Sequence, residues 1–468
     1  MSFTGLAFWI FFAVVLTLYW LARDKRWQNI ILLVASYVFY GWVNPWLAFM
    51  LGVSTLIDFF LAKGMRTQHA LRTRSSIALS ILLNLGGLAF FKYYNFFSDD
   101  ITRIANTIGW QSDFFLNRVL LPAGLSFYTL KKLGYMIDVS RGTLQPAHSL
   151  IDFALYVSFF PQIVAGPIDR PQKLLPQIEA QRTWKAEYFY SAWQLILMGL
   201  FKKLVIANSI GSTTDRIFHL EEPTILLALT GALGFTLQIL ADFSAYTDLS
   251  RGVAFLLGFE TSENFKSPYL ALTPTEFWNR WHMTLSFWLR DYVFFPMRRF
   301  LLGRQKQLPT WLIQAIPPLV TMLISGLWHG AGWIFLLWGG MYGILVVIYQ
   351  ALGMGGNWKP KSKFNAFFAW LVMFGFIVFG WLLFAAPSLD WVIGVFSRPF
   401  AGSIEQQAVA LIGLSIALVY SIPLIAKMVI DRYLRERSMI RSFYFAVATA
   451  LIFIYINSAT SDFIYFQF

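Results

Sequence analysis

The sequence has no cysteine, and it is poor in charged residues and in histidine. Of 468 residues, 13% are charged and five are histidine. Soluble domains carry roughly 25% charged residues, about twice this share. The lack of cysteine excludes disulfides, thiolate catalysis, iron–sulfur clusters and cysteine-based zinc sites. The shortage of charge indicates a protein whose surroundings are lipid.

Apolar and aromatic residues take the place of the missing charge. The hydrophobic share is 57%, the aromatic share is 18% and the mean hydropathy is +0.58. A run of about 20 apolar residues can cross a hydrocarbon core roughly 30 Å thick. We therefore predict an all-α integral membrane fold, formed by one polytopic domain over residues 1–468 with about 11–12 crossings. The predicted crossings are 6–22, 30–43, 46–62, 77–97, 119–137, 187–208, 224–257, 312–327, 331–350, 366–386, 406–428 and 443–460.

Four basic loops orient these crossings. They lie within residues 63–74, 298–306, 359–363 and 427–441, and all four fall on one side of the predicted topology. Because lysine and arginine accumulate in cytoplasmic loops, that side is expected to face the cytoplasm and both termini the outside. The same rule explains the net charge of +13, so nucleic acid is not an expected partner.

Two stretches, residues 140–186 and 260–300, are half apolar but too polar to face lipid. Irregular backbone at membrane depth persists only where it is buried in protein or lines a wet cavity. We predict that both stretches form re-entrant or interfacial helices around a central cavity.

Two of the five histidines are candidates for chemistry. His329 lies among glycines between two apolar runs, and His282 lies in an aromatic stretch where Trp278, His282 and Leu285 would share one face of a continuous helix. An ionisable residue at membrane depth is a functional candidate because burying it unpaired costs several kcal/mol, roughly 2–7 for a polar group. The alternative is that each histidine simply hydrogen-bonds a neighbouring helix. The other three, His69, His148 and His219, are expected to be solvated in loops.

A buried neutral imidazole can take a proton from a hydroxyl as that oxygen attacks a carbonyl carbon. The sequence has no HxxxH or HExxH pair, so a metal is not expected. Possible supporting residues near the two histidines are Asn279, Arg280, Trp281 and Trp328. Gln238 and Asp242 lie four residues apart, hence on one helix face. They would line the cavity or pair with Arg280 or Arg290, or else form a structural polar network.

Eight pieces of the sequence form a characteristic order, namely 124–129, 134–139, 160–171, 238–248, 268–269, 276–292, 326–333 and 463–468. Taken together, these pieces resemble the membrane-bound O-acyltransferase (MBOAT) family, in the bacterial branch that acylates exported polymers such as alginate and cellulose. The resemblance implies a ring of helices around a thinned centre, with a funnel from each face.

The resemblance also implies roles for individual residues. His329 would be the catalytic histidine, and His282 matches the second invariant position of the family. Tyr465, in a short aromatic motif, would accept the acyl group and pass it on; the alternative is an aromatic anchor at the membrane interface. The basic residues Arg298, Arg299 and Lys306 would hold phosphates of the donor, or would simply follow the positive-inside rule.

The predicted activity is O-acetyl transfer in the bacterial inner membrane, with acetyl-CoA as donor substrate and no bound cofactor. The acceptor would be a hydroxyl of an exported polysaccharide, reached directly or through a periplasmic acetyltransferase or esterase-like partner beside the polysaccharide synthesis machinery. One alternative is a D-alanyl-type transferase with a carrier-protein donor. Another is a transporter of acyl carriers or lipid-linked sugars that forms no bonds, although the expected repeat symmetry and midplane acids are scarce.

Overall fold

A computed structural model describes residues 1–65, 70–107, 122–356, 358–434, 438–457 and 463–464, and it is all-α as predicted. The helices are α1 Leu6–Leu21, α2 Lys25–Gly41, α3 Pro45–Gly64, α4 Ala70–Thr107, α5 Leu125–Ser140, α6 Leu150–Ser158, α7 Pro171–Glu179, α8 Ala186–Phe201, α9 Asn208–Phe218, α10 Ile225–Leu256, α11 Pro274–Trp278, α12 Met283–Leu289, α13 Phe295–Leu302, α14 Thr310–His329, α15 Trp333–Ala351, α16 Lys363–Ala385, α17 Leu389–Phe396, α18 Ile404–Tyr433 and α19 Ser438–Tyr455.

Eight helical segments in the described part of the chain are long and apolar enough to cross a membrane. Two more are apolar but shorter, Leu6–Leu21 and Met439–Tyr455. The eight are Pro45–Gly64, Leu71–Ser98, Ala186–Phe218, Ile225–Leu256, Thr310–His329, Trp333–Ala351, Lys363–Ala385 and Ile404–Tyr433. These ten segments correspond to ten of the twelve crossings predicted from the sequence.

The remaining two predicted crossings, 30–43 and 119–137, form helices of a different character. Helix α2 has 17 residues and buries the polar side chains of Gln28 and Asn29. Helix α5 has 16 residues and buries Lys131 and Lys132. Both helices therefore place polar groups inside the protein, as expected for helices packed within a membrane bundle.

The chain divides into two compact units, and the first comprises Met1–Gln194 and Leu249–Ser262. In it, the 140–186 stretch forms the nine-residue helices α6 and α7. Such a helix is about 14 Å long, too short to cross a membrane. Buried Asp58 accepts hydrogen bonds from Ser80 (2.6 Å) and Asn84 (2.9 Å) and lies 3.4 Å from the Nζ of Lys132. Asp58 therefore belongs to a structural polar network.

The second unit comprises Leu195–Asp248 and Glu263–Phe468, and helices α14 and α15 form a tight hairpin within it. Glycines allow the two backbones to approach closely. A methyl group on Gly326 would lie 2.1 Å from the carbonyl oxygen of Phe335, and one on Gly339 would lie 2.3 Å from that of Met322. Since no side chain fits at either position, the hairpin is fixed close to its turn, where α14 finishes at His329.

The 260–300 stretch, which lies in the second unit from residue 263 onward, is a series of short helices. It contains a 3₁₀ turn at Pro268–Leu270, the helices α11, α12 and α13, and a π-helical segment at Arg290–Phe294. The prediction that Trp278, His282 and Leu285 share one helix face is wrong, because α11 ends at Trp278 and α12 begins at Met283. His282 lies in the break, with a φ of 41°.

A second π-helical segment, Lys202–Ala207, joins α8 to α9. Its first two residues are lysines with acidic partners on α10. The Nζ of Lys202 lies 2.7 Å from Asp248, and that of Lys203 lies 2.7 Å from Asp242. A lysine ammonium group inside the protein requires a partner of opposite charge, because an isolated charge in an apolar interior is strongly disfavoured.

Candidate active site

His329 is the last residue of α14 and is 6% exposed. Aromatic rings surround its imidazole. The ring centroids of Trp328, Trp338 and Phe384 lie 4.8, 5.1 and 5.3 Å from that of His329, all nearly perpendicular to it. The backbone leaves the helix at Gly330 in an extended conformation, where a methyl group would strike the ring of Phe335. The imidazole is thus held in an apolar pocket at a fixed helix end.

His282 is held in a left-handed backbone conformation by Asn264. The side-chain oxygen of buried Asn264 accepts hydrogen bonds from the Thr284 amide (3.2 Å) and hydroxyl (2.6 Å), and its carbonyl accepts from the Met283 amide (3.0 Å). Left-handed φ is uncommon outside glycine, although asparagine, aspartate and histidine adopt it more readily than other residues. These bonds compensate for the strained backbone beside the histidine.

Burial keeps His282 neutral. Its side chain is 1% exposed, and desolvation lowers its pKa from 6.5 to about 3. A neutral imidazole offers one N–H donor and one acceptor nitrogen. At physiological pH His282 can therefore donate one hydrogen bond to a reacting oxygen without adding a net charge to the site.

Trp328 connects the two histidines, which are 47 positions apart in the sequence. Its ring centroid lies 6.0 Å from that of His282 and 4.8 Å from that of His329. On the other side of His282, the Phe243 ring of α10 lies 4.8 Å away. The structure thus places His282, Trp328 and His329 in one buried aromatic cluster.

Arg280 and Asn279 lie at the outer side of this region. Arg280 forms an ion pair with Glu276 (2.6 Å), and Glu276 also accepts a hydrogen bond from the Leu272 amide (2.8 Å). Both partners are about one-third exposed, at 32% and 30%. Asn279 is exposed at the end of α11. In this geometry Arg280 braces the turn that leads to His282.

Gln238 and Asp242 lie one turn apart on α10, as predicted, but their partners differ from the predicted arginines. Gln238 donates to Asp215 (3.3 Å), and Asp242 pairs with Lys203. Arg280 and Arg290 pair with the acids on their own segments, Glu276 and Asp291. Short-range pairing satisfies both arginines, so a long-range pair with α10 is not needed.

The sequence interpretation missed three contributors to this region, namely Lys203, Asn264 and Trp338. For Lys203 the signal was present, since two adjacent lysines inside the apolar run 187–208 demand buried partners. Asn264 and Trp338 carry no comparable local signal. Tyr465 and His69 lie outside the described residues, whereas His148 and His219 are exposed in loops as predicted. Within the described ranges, no group of three His, Asp or Glu residues is placed to hold a metal ion.

Taken together, the helices and the buried histidines define an integral membrane protein with one polar site inside an aromatic cluster. Residues 35–389 match the model of the membrane-bound O-acyltransferase family, MBOAT. The probable alginate O-acetylase AlgI of Pseudomonas aeruginosa is 36% identical over 386 residues, which cover 81% of this chain and 71% of that protein. The peptidoglycan O-acetyltransferase of Helicobacter pylori is 31% identical over 405 residues, covering 80% and 74%.

A third relative overlaps less. The teichoic acid D-alanyltransferase of Bacillus subtilis is 31% identical over 280 residues, covering 56% of this chain and 68% of that protein. The family match covers about three quarters of the chain, in agreement with the resemblance found in the sequence. The chain therefore belongs to the membrane-bound O-acyltransferase family, and it is a multi-pass membrane acyltransferase.

Proposed function

We propose that this protein transfers acetyl groups from acetyl-CoA, on the cytoplasmic side of the bacterial inner membrane, to hydroxyls of an exported polysaccharide. Transfer is direct or passes through a periplasmic acetyltransferase or esterase-like partner. The names of two relatives support an acetyl group and a polymeric sugar acceptor, because one is an alginate O-acetylase and the other a peptidoglycan O-acetyltransferase.

The observation that carries the proposal is the pair of buried imidazoles bridged by Trp328. In the proposed reaction His329 takes the proton of the acceptor hydroxyl as its oxygen attacks the thioester carbonyl. A C–O bond forms, the C–S bond breaks, and the proton passes from His329 to the departing thiolate. The neutral ring of His282 donates a hydrogen bond to the oxygen that becomes negative, a contribution that typically accelerates acyl transfer by about 10²–10³-fold.

Supporting roles follow from position. The indole of Trp328 lies beside both imidazoles and adds apolar surface to the site. Arg280 and Asn279, at the exposed side, orient the turn that carries His282. Exclusion of water strengthens each electrostatic interaction in the site and protects the thioester from hydrolysis.

A basic cavity supports a phosphorylated donor. The cavity has a volume of about 480 Å³ and is lined by Asp291, Phe295, Arg298, Arg299 and Leu302. Arginine is well suited to bind phosphate through two parallel hydrogen bonds. We assign this cavity to the phosphates of acetyl-CoA; Lys306 is exposed but is not among the residues that line it.

The relay step of the proposal uses Tyr465. The phenol oxygen of Tyr465 would attack the thioester carbonyl of acetyl-CoA and lose its proton to His329. A C–O bond would form as the C–S bond breaks, the proton would pass from His329 to the departing CoA thiolate, and Tyr465 would hold the acetyl group as an aryl ester. A periplasmic partner would then move the acetyl group from that ester to a sugar hydroxyl. Such an ester remains activated, since a phenol with a pKa near 10 is a better leaving group than an aliphatic alcohol.

The first experiment measures donor turnover and protein labelling. Purified protein in detergent is incubated with radiolabelled acetyl-CoA, and wild type is compared with His329→Ala and Tyr465→Phe. His148→Ala serves as the matched control, because His148 is an exposed loop histidine. We expect turnover in wild type and His148→Ala, loss of turnover in His329→Ala, and loss of protein label in Tyr465→Phe.

The outcomes separate the alternatives. Turnover that survives in His329→Ala contradicts the role of His329. Turnover with no label on wild type removes the tyrosine relay and leaves direct transfer. No turnover in any form directs attention to a carrier-protein donor, which the similarity to the D-alanyltransferase favours, or to a transporter without bond formation.

A further inference from the structure

Two side chains on one face of α15 bring polar hydrogens into the aromatic surroundings of His329. Trp338 and Tyr342 are four residues apart, so their side chains lie on the same side of the helix. They are 1% and 0% exposed. The Trp338 ring centroid lies 5.1 Å from that of His329, and the Tyr342 ring centroid lies 5.3 Å from that of Trp338. The two residues therefore lead away from His329 over about 6 Å of helix.

Neither of these polar hydrogens has an acceptor in the part of the chain that the structure describes. The Nε1 of Trp338 and the hydroxyl of Tyr342 are buried there without a hydrogen-bond partner, and so is the Nε1 of Trp278 on α11. The Trp278 ring lies 5.6 Å from that of Trp338 and 5.1 Å from that of Tyr342, nearly perpendicular to both. The large majority of buried polar atoms in proteins are hydrogen-bonded, so three such atoms together indicate a ligand site.

Other aromatic side chains of the second unit do find an acceptor within the protein. The Nε1 of Trp370 donates to the Tyr269 carbonyl oxygen at 2.9 Å. The hydroxyl of Tyr444 donates to the Pro423 carbonyl oxygen at 3.2 Å. The fold therefore can supply carbonyl acceptors to buried aromatic residues, and it does not do so beside His329.

Packing holds the phenol of Tyr342 in place without a hydrogen bond. The Phe277 ring stacks on the Tyr342 ring, with centroids 5.8 Å apart and planes at 7°. A methyl group on Gly380 of α16 would lie 2.6 Å from the Tyr342 hydroxyl oxygen. Glycine at this position thus leaves room for the hydroxyl, whose hydrogen stays free to be donated to a ligand.

The direction of α15 places these groups on the cytoplasmic side of His329. The helix begins four residues after His329 and ends before the basic loop 359–363. Because basic loops face the cytoplasm, Trp338 and Tyr342 lie along the helix between His329 and its cytoplasmic end. Trp278 is half-buried, whereas the other two are fully buried. The side of Trp278 is therefore the side from which a ligand enters.

We propose that Trp338 and Tyr342 bind carbonyl oxygens in the pantetheine arm of an acyl thioester and so hold the thioester beside His329. The proposal rests on the acyl transfer proposed above. The surrounding aromatic rings and glycine suit an uncharged acceptor, because a phosphate or carboxylate would lose its hydration there without a charged partner. The arm carries two amide carbonyls separated by a short apolar spacer. Trp338 binds the carbonyl next to the thioester, and Tyr342 binds the farther one.

The test combines the removal of one hydroxyl with the removal of one carbonyl. Tyr342→Phe keeps the ring and lacks the O–H. S-acetylpantetheine carries both amide carbonyls, whereas S-acetyl-N-acetylcysteamine carries only the one next to the thioester. Affinity is measured in detergent from the rise in the protein's unfolding temperature, which requires no turnover. We expect Tyr342→Phe to bind S-acetylpantetheine about five- to tenfold more weakly and the shorter thioester as wild type does, since one neutral hydrogen bond is lost.

Two further variants complete the experiment. Trp338→Phe lacks the N–H but keeps an aromatic ring beside His329, and we expect it to bind both thioesters more weakly. Tyr444→Phe is the matched control, because its hydroxyl is bonded to a protein carbonyl, and we expect unchanged affinity for both. Without ligand, Tyr342→Phe should be at least as stable as wild type, whereas Tyr444→Phe should be less stable because an acceptor loses its partner.

The results separate failure of this site from failure of the proposed activity. Equal affinity of wild type and Tyr342→Phe for S-acetylpantetheine overturns the site, and turnover of acetyl-CoA by the same proteins would leave the activity standing. Equal weakening of both thioesters in Tyr342→Phe indicates a packing defect and also overturns the site. Selective weakening in a protein that does not turn over acetyl-CoA supports the site and removes acetyl-CoA as donor.

A comparison of ligands identifies the source of the arm, which CoA and carrier proteins share. Tighter binding of acetyl-CoA than of S-acetylpantetheine to wild type supports the site with CoA as the source. Equal binding of the two supports the site with a carrier protein as the source. Absence of any thioester binding to wild type overturns the site.

Discussion

His282 combines a buried ring with a left-handed backbone, and each property limits what can replace it. The left-handed conformation is stabilised by the hydrogen bonds of Asn264 to Met283 and Thr284. Among side chains other than glycine, asparagine tolerates this conformation best. His282→Asn is therefore the substitution that removes the imidazole with the smallest disturbance of the turn.

The first prediction concerns acid stability. Unfolded His282 binds a proton near pH 6.5, whereas the folded protein resists protonation down to about pH 3. The free energy of unfolding is therefore unaffected by protonation of His282 above pH 6.5 and falls as pH drops from 6.5 towards 3. At pH 5 the loss is about 2 kcal/mol. Thermal unfolding in detergent at pH 7, 6 and 5 should show a shallower decline for His282→Asn than for wild type. Parallel declines would contradict a buried, neutral His282.

At this scale the sequence predicted both histidines as residues of interest, but it did not predict their surroundings. Periodicity suggested that His282 belongs to a continuous helix. The left-handed φ of one residue leaves no periodic signal, and it depends on Asn264, 18 positions earlier. Two of the three aromatic rings around His329, those of Trp338 and Phe384, come from α15 and α16, which a local pattern cannot assemble.

Helices α14 and α15 show how an element can set the position of a single side chain. Their glycines let the backbones pack directly, so the end of α14 is fixed against α15. Close packing through small residues is a common source of helix association in membranes, where lipid offers little hydrophobic driving force. The packing of this hairpin therefore determines the position of His329.

The second prediction compares two adjacent glycines of α15. A methyl group on Gly339 would lie 2.3 Å from the carbonyl oxygen of Met322, whereas one on Gly340 would have its nearest contact at 3.7 Å. Gly339→Ala should lower the free energy of unfolding by about 1–3 kcal/mol, because the backbone of one helix must shift. It should also abolish donor turnover, because His329 ends the helix that shifts. Gly340→Ala should be neutral or slightly stabilising, since alanine favours helix by about 1 kcal/mol. Equal effects of the two substitutions would show that the hairpin is not tightly packed.

The long apolar elements were predicted from composition, whereas the polar contacts inside the shorter helices were not. The long spans follow from composition alone. Helix α2 was predicted as a crossing because its C-terminal half is apolar, although Gln28 and Asn29 on its first turns are buried. Burial of polar residues depends on tertiary partners, and hydropathy contains no information about them.

At the scale of the whole molecule, charge sets the expected orientation in the membrane. The loops at either end of α16 provide a clean comparison, because one is basic and the other contains few charges. The positive-inside rule places residues 359–363 in the cytoplasm and residues 388–403 outside. The division into two compact units was not predicted, since nothing in the sequence marks a boundary near residue 194 or residue 248.

The third prediction tests this orientation with single cysteines. Ser397→Cys should react with a membrane-impermeant maleimide in spheroplasts, whereas Lys361→Cys should react only after permeabilisation. Both positions are exposed, and the parent chain contributes no thiol of its own. The reverse pattern would invert the topology and would place the cavity of Arg298 and Arg299 outside, away from cytoplasmic acetyl-CoA.

The π-helical segment Lys202–Ala207 has a genetic consequence. Losing one codon there would let the segment close into an ordinary α-helix, because a π-helical turn holds about one residue more than an α-helical turn. The helix would survive the deletion, and the residues on either side of it would keep nearly the same facing. In-frame deletion of the Lys202 or Lys203 codon should therefore yield protein that is inserted in the membrane but has lost an ion pair to α10.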